Sequence, residues 1–211
     1  MPHLILGSTS PRRHQLLTEA GIAFGAARPD IDETPLPTEP ADAYVARLSR
    51  EKALAVAAQE HGTAALILTA DTTVAHDGDI LGKPEDAADA EAMLRRLAGR
   101  AHQVHSGVTV LNVVTKTLST QVTTTDVYMR PYSDADIAAY IASGDPFGKA
   151  GSYAIQNRAF HPVERLQGCY TNVVGLPMCV VCRLLATHGI VAPAAPPCAE
   201  DNLPCRVAFE R

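Results

Sequence analysis

The sequence predicts an α/β fold built on a mixed sheet. Two observations carry this. Apolar, strand-like runs alternate with helical patterns along the chain. Two long β-rich stretches, about Gln103–Val114 and Thr117–Tyr128, follow one another as a hairpin does and bring antiparallel pairing into the sheet. The 211 residues suit one large domain or two lobes sharing a cleft, with no internal repeat and no linker that would separate independent units.

The elements follow in order. Leu4–Ser8 reads as a short buried strand. Pro11 suits the first turn of a helix, where its missing N–H is no loss, and that helix runs to about Gly21. A strand is expected near Ile22–Ala27. "RPDIDETPLPTEPAD", with four prolines, is a loop. A long helix covers about Pro40–Glu60. "AALILTADTTVA" is an apolar strand run interrupted by Asp71. "DGDILGKP" is turn chemistry with a short apolar segment. Glu85–Leu97 reads as a helix stopping at Gly99. The hairpin comes next. "SDADIAAYIASG" is a helix with Ser133 as N-cap and Gly144 as its stop. Gly175–His188 is the last helix, and the Pro/Ala-rich tail, 191–211, packs loosely or frays.

Composition narrows the function. Apolar residues make up 46% and charged residues 19%, an ordinary globular balance. A net charge of -5 does not favour a nucleic acid polymer as partner. No apolar run reaches the ~18 residues of a membrane span. No signal peptide is evident, so the expected location is cytoplasmic. All five cysteines follow residue 168. Cys179 and Cys182 read as core packing on a helix, because no second ligand pair suits zinc. Cys198 and Cys205 would bridge only in an oxidising compartment.

"LILGSTSPRRHQLL" is a strand–turn–helix with its turn near Gly7–Ser10. Backbone N–H groups at a helix start favour an anion. Arg12 and Arg13 add bidentate donors for phosphate oxygens. A plain cap with solvated arginines fits the same residues, but two cations in a first turn oppose the macrodipole unless an anion compensates them. On the long helix Tyr44, Val45, Leu48, Ala55 and Val56 form an apolar stripe, and Lys52 shares it. A lysine there needs an anionic partner or an escape to water. Asp71 ends the run "AALILTA", at the carboxyl end of a buried strand, where open α/β sheets bind ligands; a capping aspartate reads the same way. Asp30, Asp32 and Glu33 add acceptors for a hard divalent cation, or belong to a solvated loop. "GDPFGKA", Gly144–Ala150, fails the P-loop pattern, although its glycines and Lys149 allow a close backbone approach to a ligand. Four cations, a carboxylate and an acidic loop point to a polyphosphate with a metal. No nucleophilic Ser or Cys has an evident paired base, which favours attack by activated water.

These pieces, in order, resemble the Maf family of nucleoside triphosphate pyrophosphatases: "LILGSTSPRRHQLL", "PDIDET", "REKA", "TADTTV", "DILGKP", "HSGVTV", "GDPFGKAGSYAIQ" and "GCYTNVVGLP". They span roughly residues 4–185. "GKAGSYAIQ" is similar to the subgroup acting on dTTP and UTP. Gly7 stands where Ala is common, Asn157 where glycine is usual, and "NRAFHPVERLQG" lacks the family's glycine-rich turn.

The resemblance implies a mixed twisted sheet with helices on both faces and two lobes around a central cleft, within a single Maf-like domain over 1–190, often as a homodimer. It implies hydrolysis between the α- and β-phosphates with a divalent metal cation, Mg²⁺, Mn²⁺ or Co²⁺. Asp71 matches the general base. Ser8, Arg12, Arg13, Lys52 and Lys83 match phosphate-binding positions. Glu33, with Asp71, matches the metal role, and Arg12, Thr72 and Gln156 match the specificity positions. The competing expectation is a non-catalytic nucleotide-binding regulator of cell division.

Overall fold

The computed structural model describes residues 3–59 and 65–193. The expected helix end Glu60, the strand start Ala64, and the tail past residue 193, with Cys198 and Cys205, lie outside them.

Strand β1 (His3–Gly7) leads through a turn into α1 (Pro11–Glu19). Strand β2 is only Gly25–Ala27, shorter than expected, because Ile22 caps α1: its N–H bonds the Leu17 carbonyl at 3.1 Å and its side chain is buried. After the Pro-rich loop come α2 (Ala41–Gln59) and the strands β3 (Ala65–His76) and β4 (Asp79–Leu81). The turn between these two strands has Asp77 and Gly78 at φ 52° and 85°, the left-handed pair a tight hairpin needs. Helix α3 (Ala87–Leu97) starts on an Asp86 cap. The hairpin β5 (Ala101–Asn112) and β6 (Thr117–Met129) is present as expected. Helix α4 (Asp134–Ala142) carries a full capping box of Ser133 and Asp136. Three elements were not read from the sequence: a short 3-10 turn (Ala150–Ser152), β7 (Val163–Gln167) and α5 (Tyr170–Val174). The last helix, α6 (Met178–Ala186), is shorter than expected, because Gly175–Pro177 form the break after α5.

The strands make one mixed sheet in the order β2-β1-β3-β5-β6-β7, with β4 added to β3. β2, β1 and β3 run parallel, and the other pairs are antiparallel. One face carries the main core, in which Leu16 and Leu17 of α1, Leu94 and Leu97 of α3 and Val181 and Leu185 of α6 meet Leu4, Leu6, Leu66 and Leu68. Cys182 belongs to this core, and burial pushes its thiol up. On the opposite face Ala53 and Val56 of α2 cover Ile5, Ile67 and Leu111. Helices on both faces are thus as expected. Helix α2 sits close to the sheet because Gly107 has no side chain: a Cβ there would lie 2.2 Å from the Val45 carbonyl oxygen. No described helix is long and apolar enough to cross a membrane.

The pairing around β3 places the site. One edge of β3 pairs with β5 without a break from Leu66 to Ala75. A strand has two edges, so β1 and β4 share the other. There β1 pairs only as far as Thr69, and β4 begins at Val74. Residues Ala70–Thr73 face an opening in the sheet. Asp71 is therefore not at a strand end, as its place in the sequence suggests; it lies mid-strand, where the neighbouring strand stops.

Candidate active site

A cleft of about 560 Å³ lies at this opening. Its walls include the β1–α1 turn, Glu33, Tyr44 and Lys52, the β3 segment Asp71–Val74, Lys83, Gly148–Ala150 and Tyr153. Ser8, Arg12, Arg13, Lys52, Asp71, Thr72, Glu33 and Lys83, drawn from five separate stretches of sequence, all line it. Gln156 does not; it is exposed, three residues past Tyr153.

At the centre lies Lys52, buried on the α2 stripe as the pattern suggested. It does not snorkel to water. Its Nζ sits 2.6 Å from Asp71 Oδ1 and 2.6 Å from Glu33 Oε1. One ammonium thus bridges two carboxylates, and one of its three donors is left over. Asp71 is 7% exposed, and its Oδ2 has no protein partner among the described residues. Burial pushes the Glu33 carboxyl up, but the Lys52 hydrogen bond and charge, with Lys83 at 3.7 Å, outweigh it and hold it below the usual glutamate range. The Tyr44 hydroxyl donates to the Glu33 carbonyl at 2.8 Å and pins the loop above Lys52. Burial and the nearby Asp71 and Glu33 charges push its phenol up to about 12, so it stays a donor. Tyr44 and Lys52 share one helical face, the signal that could have marked this tyrosine as part of the site.

The two arginines divide. Arg13 Nε donates to the Gly175 carbonyl at 2.8 Å. Its Nη1 donates to the Ala70 carbonyl at 2.8 Å and to Ser8 Oγ at 3.4 Å, and Nη2 to Thr72 Oγ1 at 3.1 Å. Four of its five donors are engaged. Ala70 is in the unpaired stretch of β3, so Arg13 satisfies a carbonyl that a strand would otherwise bond. Arg13 thus braces the opening, a duty the charge pattern did not reveal. The Thr72 hydroxyl is equally engaged, by Arg13, by Ser106 Oγ at 2.7 Å and by the Gly175 carbonyl at 3.2 Å. Arg12 makes no hydrogen bond or ion pair among the described residues, and burial lowers its pKa. The N–H groups of Arg12 and Arg13 have no acceptor within α1 by helix geometry. Ser8 Oγ accepts the Ser10 N–H at 3.2 Å and shapes the turn.

In the Pro-rich loop the acidic residues also separate. Asp30 and Glu33 line the cleft, whereas Asp32 turns back to accept from the Thr34 N–H at 2.9 Å and hydroxyl at 2.6 Å. Across the cleft Tyr153 is buried, and its hydroxyl lies 2.7 Å from His102 Nε2. Burial and the neighbouring His76 push the His102 imidazole down to about 3.

Glu33 and Asp71 are hard oxygen donors that share the Lys52 ammonium, and each has a second carboxylate oxygen for the cleft they line. That is the donor set a small divalent cation takes, two carboxylates with waters and substrate phosphates completing the shell. The residues present fit such a cation.

A sequence profile described as Maf-like protein matches residues 3–188. A dTTP/UTP pyrophosphatase of Geobacter metallireducens is 46% identical over 187 residues, 88% of this chain and 96% of that protein. One from Salinibacter ruber is 50% identical over 177 residues, 83% of this chain and 85% of its own. Among solved structures, a nucleoside-triphosphatase (dITP/XTP pyrophosphatase) of Mycobacterium abscessus aligns at 13% identity with a TM-score of 0.41, covering 60% of this chain and 74% of that one. The profile spans nearly all the described residues, and with these identities it establishes that the chain belongs to the Maf family.

Proposed function

We propose that this protein is a nucleoside triphosphate pyrophosphatase that cleaves dTTP and UTP between the α- and β-phosphates, releasing a nucleoside monophosphate and pyrophosphate. The observation that carries the reading is the Glu33–Lys52–Asp71 cluster in the sheet opening, in a chain whose relatives are named for this reaction.

Asp71 is the general base. Lys52 holds Oδ1 and so fixes the carboxylate, while Oδ2 faces the cleft and can take a proton from water. That water attacks the α-phosphorus, and pyrophosphate leaves. The free Arg12 guanidinium and the N–H groups of the β1–α1 turn receive phosphate oxygens; Lys83, at the exposed mouth, receives the outer end of the chain. Arg13, Ser8 and Thr72 hold this frame rigid, with one Arg13 donor left for substrate. Glu33 and Asp71 would hold the divalent cation, which neutralises phosphate charge when bound. Gln156 belongs to the proposal as the reader of the base: its amide can pair with N3–H and one carbonyl of thymine or uracil. Residues 1–190 act as the catalytic unit, in the cytoplasm.

The test is a panel of nucleoside triphosphates read by pyrophosphate release, with and without EDTA. The expected result is dTTP and UTP well ahead of CTP and purines, and loss of turnover with EDTA that Mg²⁺ or Mn²⁺ restores. Tight dTTP binding without pyrophosphate release would instead identify a regulator.

A further inference from the structure

The Gly148–Ala150 stretch of the cleft lining carries a cation with no duty in the reaction proposed above. Lys149 lines the cleft, yet its ammonium is folded back on Asp145, 3.1 Å from Oδ1 and bonded to the Asp145 carbonyl. Asp145 has other partners besides Lys149. The Tyr140 hydroxyl donates to Asp145 Oδ2 at 2.7 Å, and Asn157 Nδ2 donates to the same oxygen at 3.1 Å. Asn157, the departure from the family glycine, also accepts the Phe160 N–H at 2.8 Å, so the carboxylate has an anchored second partner. Burial pushes the Asp145 carboxyl up, but these three donors outweigh it and keep it ionised below the usual range.

We propose that Lys149 is a polyphosphate-binding residue parked on Asp145, and that it swings to the phosphate chain when a nucleoside triphosphate enters. This rests on the reading that the cleft holds a triphosphate. Six cationic side chains line the cleft against three carboxylates. Lys52 is already shared by two of those carboxylates, Arg13 is engaged by four acceptors, and Lys83 approaches Glu33. Arg12 and Arg28 make no side-chain hydrogen bond or ion pair among the described residues, and both come from the chain before β3, although Arg12 feels the Asp145 charge from there. Among the described residues lining the cleft, Lys149 is the one cation contributed by the chain after β6. Its release leaves no orphan, because Asp145 keeps Tyr140 and Asn157. The backbone around it is shaped for such a reach: Gly148 is at φ 75°, and a Cβ there would meet nothing within 4 Å.

The experiment measures binding of inorganic tripolyphosphate, with thymidine as the phosphate-free control, by calorimetry on the full chain and three variants. Lys149→Ala should weaken tripolyphosphate about tenfold or more with thymidine unchanged. Lys149→Arg should stay within about threefold of the parent. Asp145→Asn, which removes the competing charge while keeping an oxygen for Tyr140 and Asn157, should bind tripolyphosphate as well or more tightly. Unchanged tripolyphosphate affinity in Lys149→Ala would overturn the proposal. So would an equal loss in Asp145→Asn, because the pair would then be a structural strut. If the parent binds tripolyphosphate in this pattern yet releases no pyrophosphate from dTTP, the proposed reaction fails and the role of Lys149 stands.

Discussion

The two walls of the cleft are built on different principles. The Asp71 wall is stitched between elements distant in sequence: Lys52 of α2 to Asp71 of β3, and Arg13 of α1 to Gly175 after α5. The Lys149 wall adds a local cluster to its ties to the sheet. Asp145 gathers Tyr140, Lys149 and Asn157, and Ala154 N–H bonds back to the Tyr140 hydroxyl at 3.0 Å. Several of its residues, Gly144, Gly148, Gly151 and Ser152, take left-handed backbone angles. A wall tied into the sheet cannot move without breaking the core, so it suits chemistry that tolerates little displacement. On the other wall the Gly151 N–H bonds the Gly82 carbonyl at 3.0 Å and Tyr153 is held by His102, so the part with room to move is the Lys149 side chain, whose partners are all local.

The comparison would break first at Asp71. Asp71→Asn keeps the shape and the Lys52 contact but loses the base. Turnover of dTTP should fall about 10² or more while nucleotide binding persists. Near-parental turnover in the purified variant would move the chemistry elsewhere.

The next largest effect should come from Lys52→Met. Two carboxylates would be left face to face, one of them buried, so stability should drop by about 3 kcal/mol along with activity. Adding Asp71→Asn should recover much of that loss in a urea melt. A stable single variant would show that the cluster does not bind the wall together.

The smallest effect belongs to His102, the β5 residue that holds Tyr153, and concerns pH. His102 stays neutral in the fold down to about pH 3, whereas an unfolded imidazole takes its proton near 6.5. Between those values the unfolded chain binds the extra proton, so stability is full above about pH 6.5 and declines as pH falls, by up to about 1.4 kcal/mol per unit. His102→Gln, which removes the titration beside Tyr153, should flatten the melting-temperature profile between pH 6.5 and 5. An unchanged profile would show that His102 is not what couples the fold to acid.

Much of the Asp71 wall was legible beforehand because its signals are local. Pro11 after a buried strand marks a helix start, and a lysine on an apolar stripe marks an anion nearby. What local pattern cannot convey is pairing. Asp71 reads as a strand end, yet β3 continues through it, because the break lies in the neighbouring strands. Arg13 reads as a phosphate ligand, yet one of its acceptors comes from 162 residues away. Strand β7, outside the cleft lining, was less legible for another reason. β7 reads "VERLQ", with a buried first residue and exposed neighbours, and an edge strand of that kind lacks the alternation that betrays a strand. Gln156 entered through the motif alone, and in the structure it stands outside the cleft lining.

Gly107 gives the whole arrangement a ruler. Where α2 crosses the sheet, backbone meets backbone, and the spacing is set by atomic radii rather than by rotamers that could be traded for others. Val45, the helix residue at that contact, lies two turns before Lys52. The height at which the ammonium hangs over Asp71 is thus referenced to a contact that has no adjustable part. Core side chains farther along α2 can be exchanged over evolutionary time, larger for smaller, and the catalytic separation need not drift with them. Even the smallest side chain at position 107 would act as a shim, tilting the helix and opening the cluster from a point that never touches substrate.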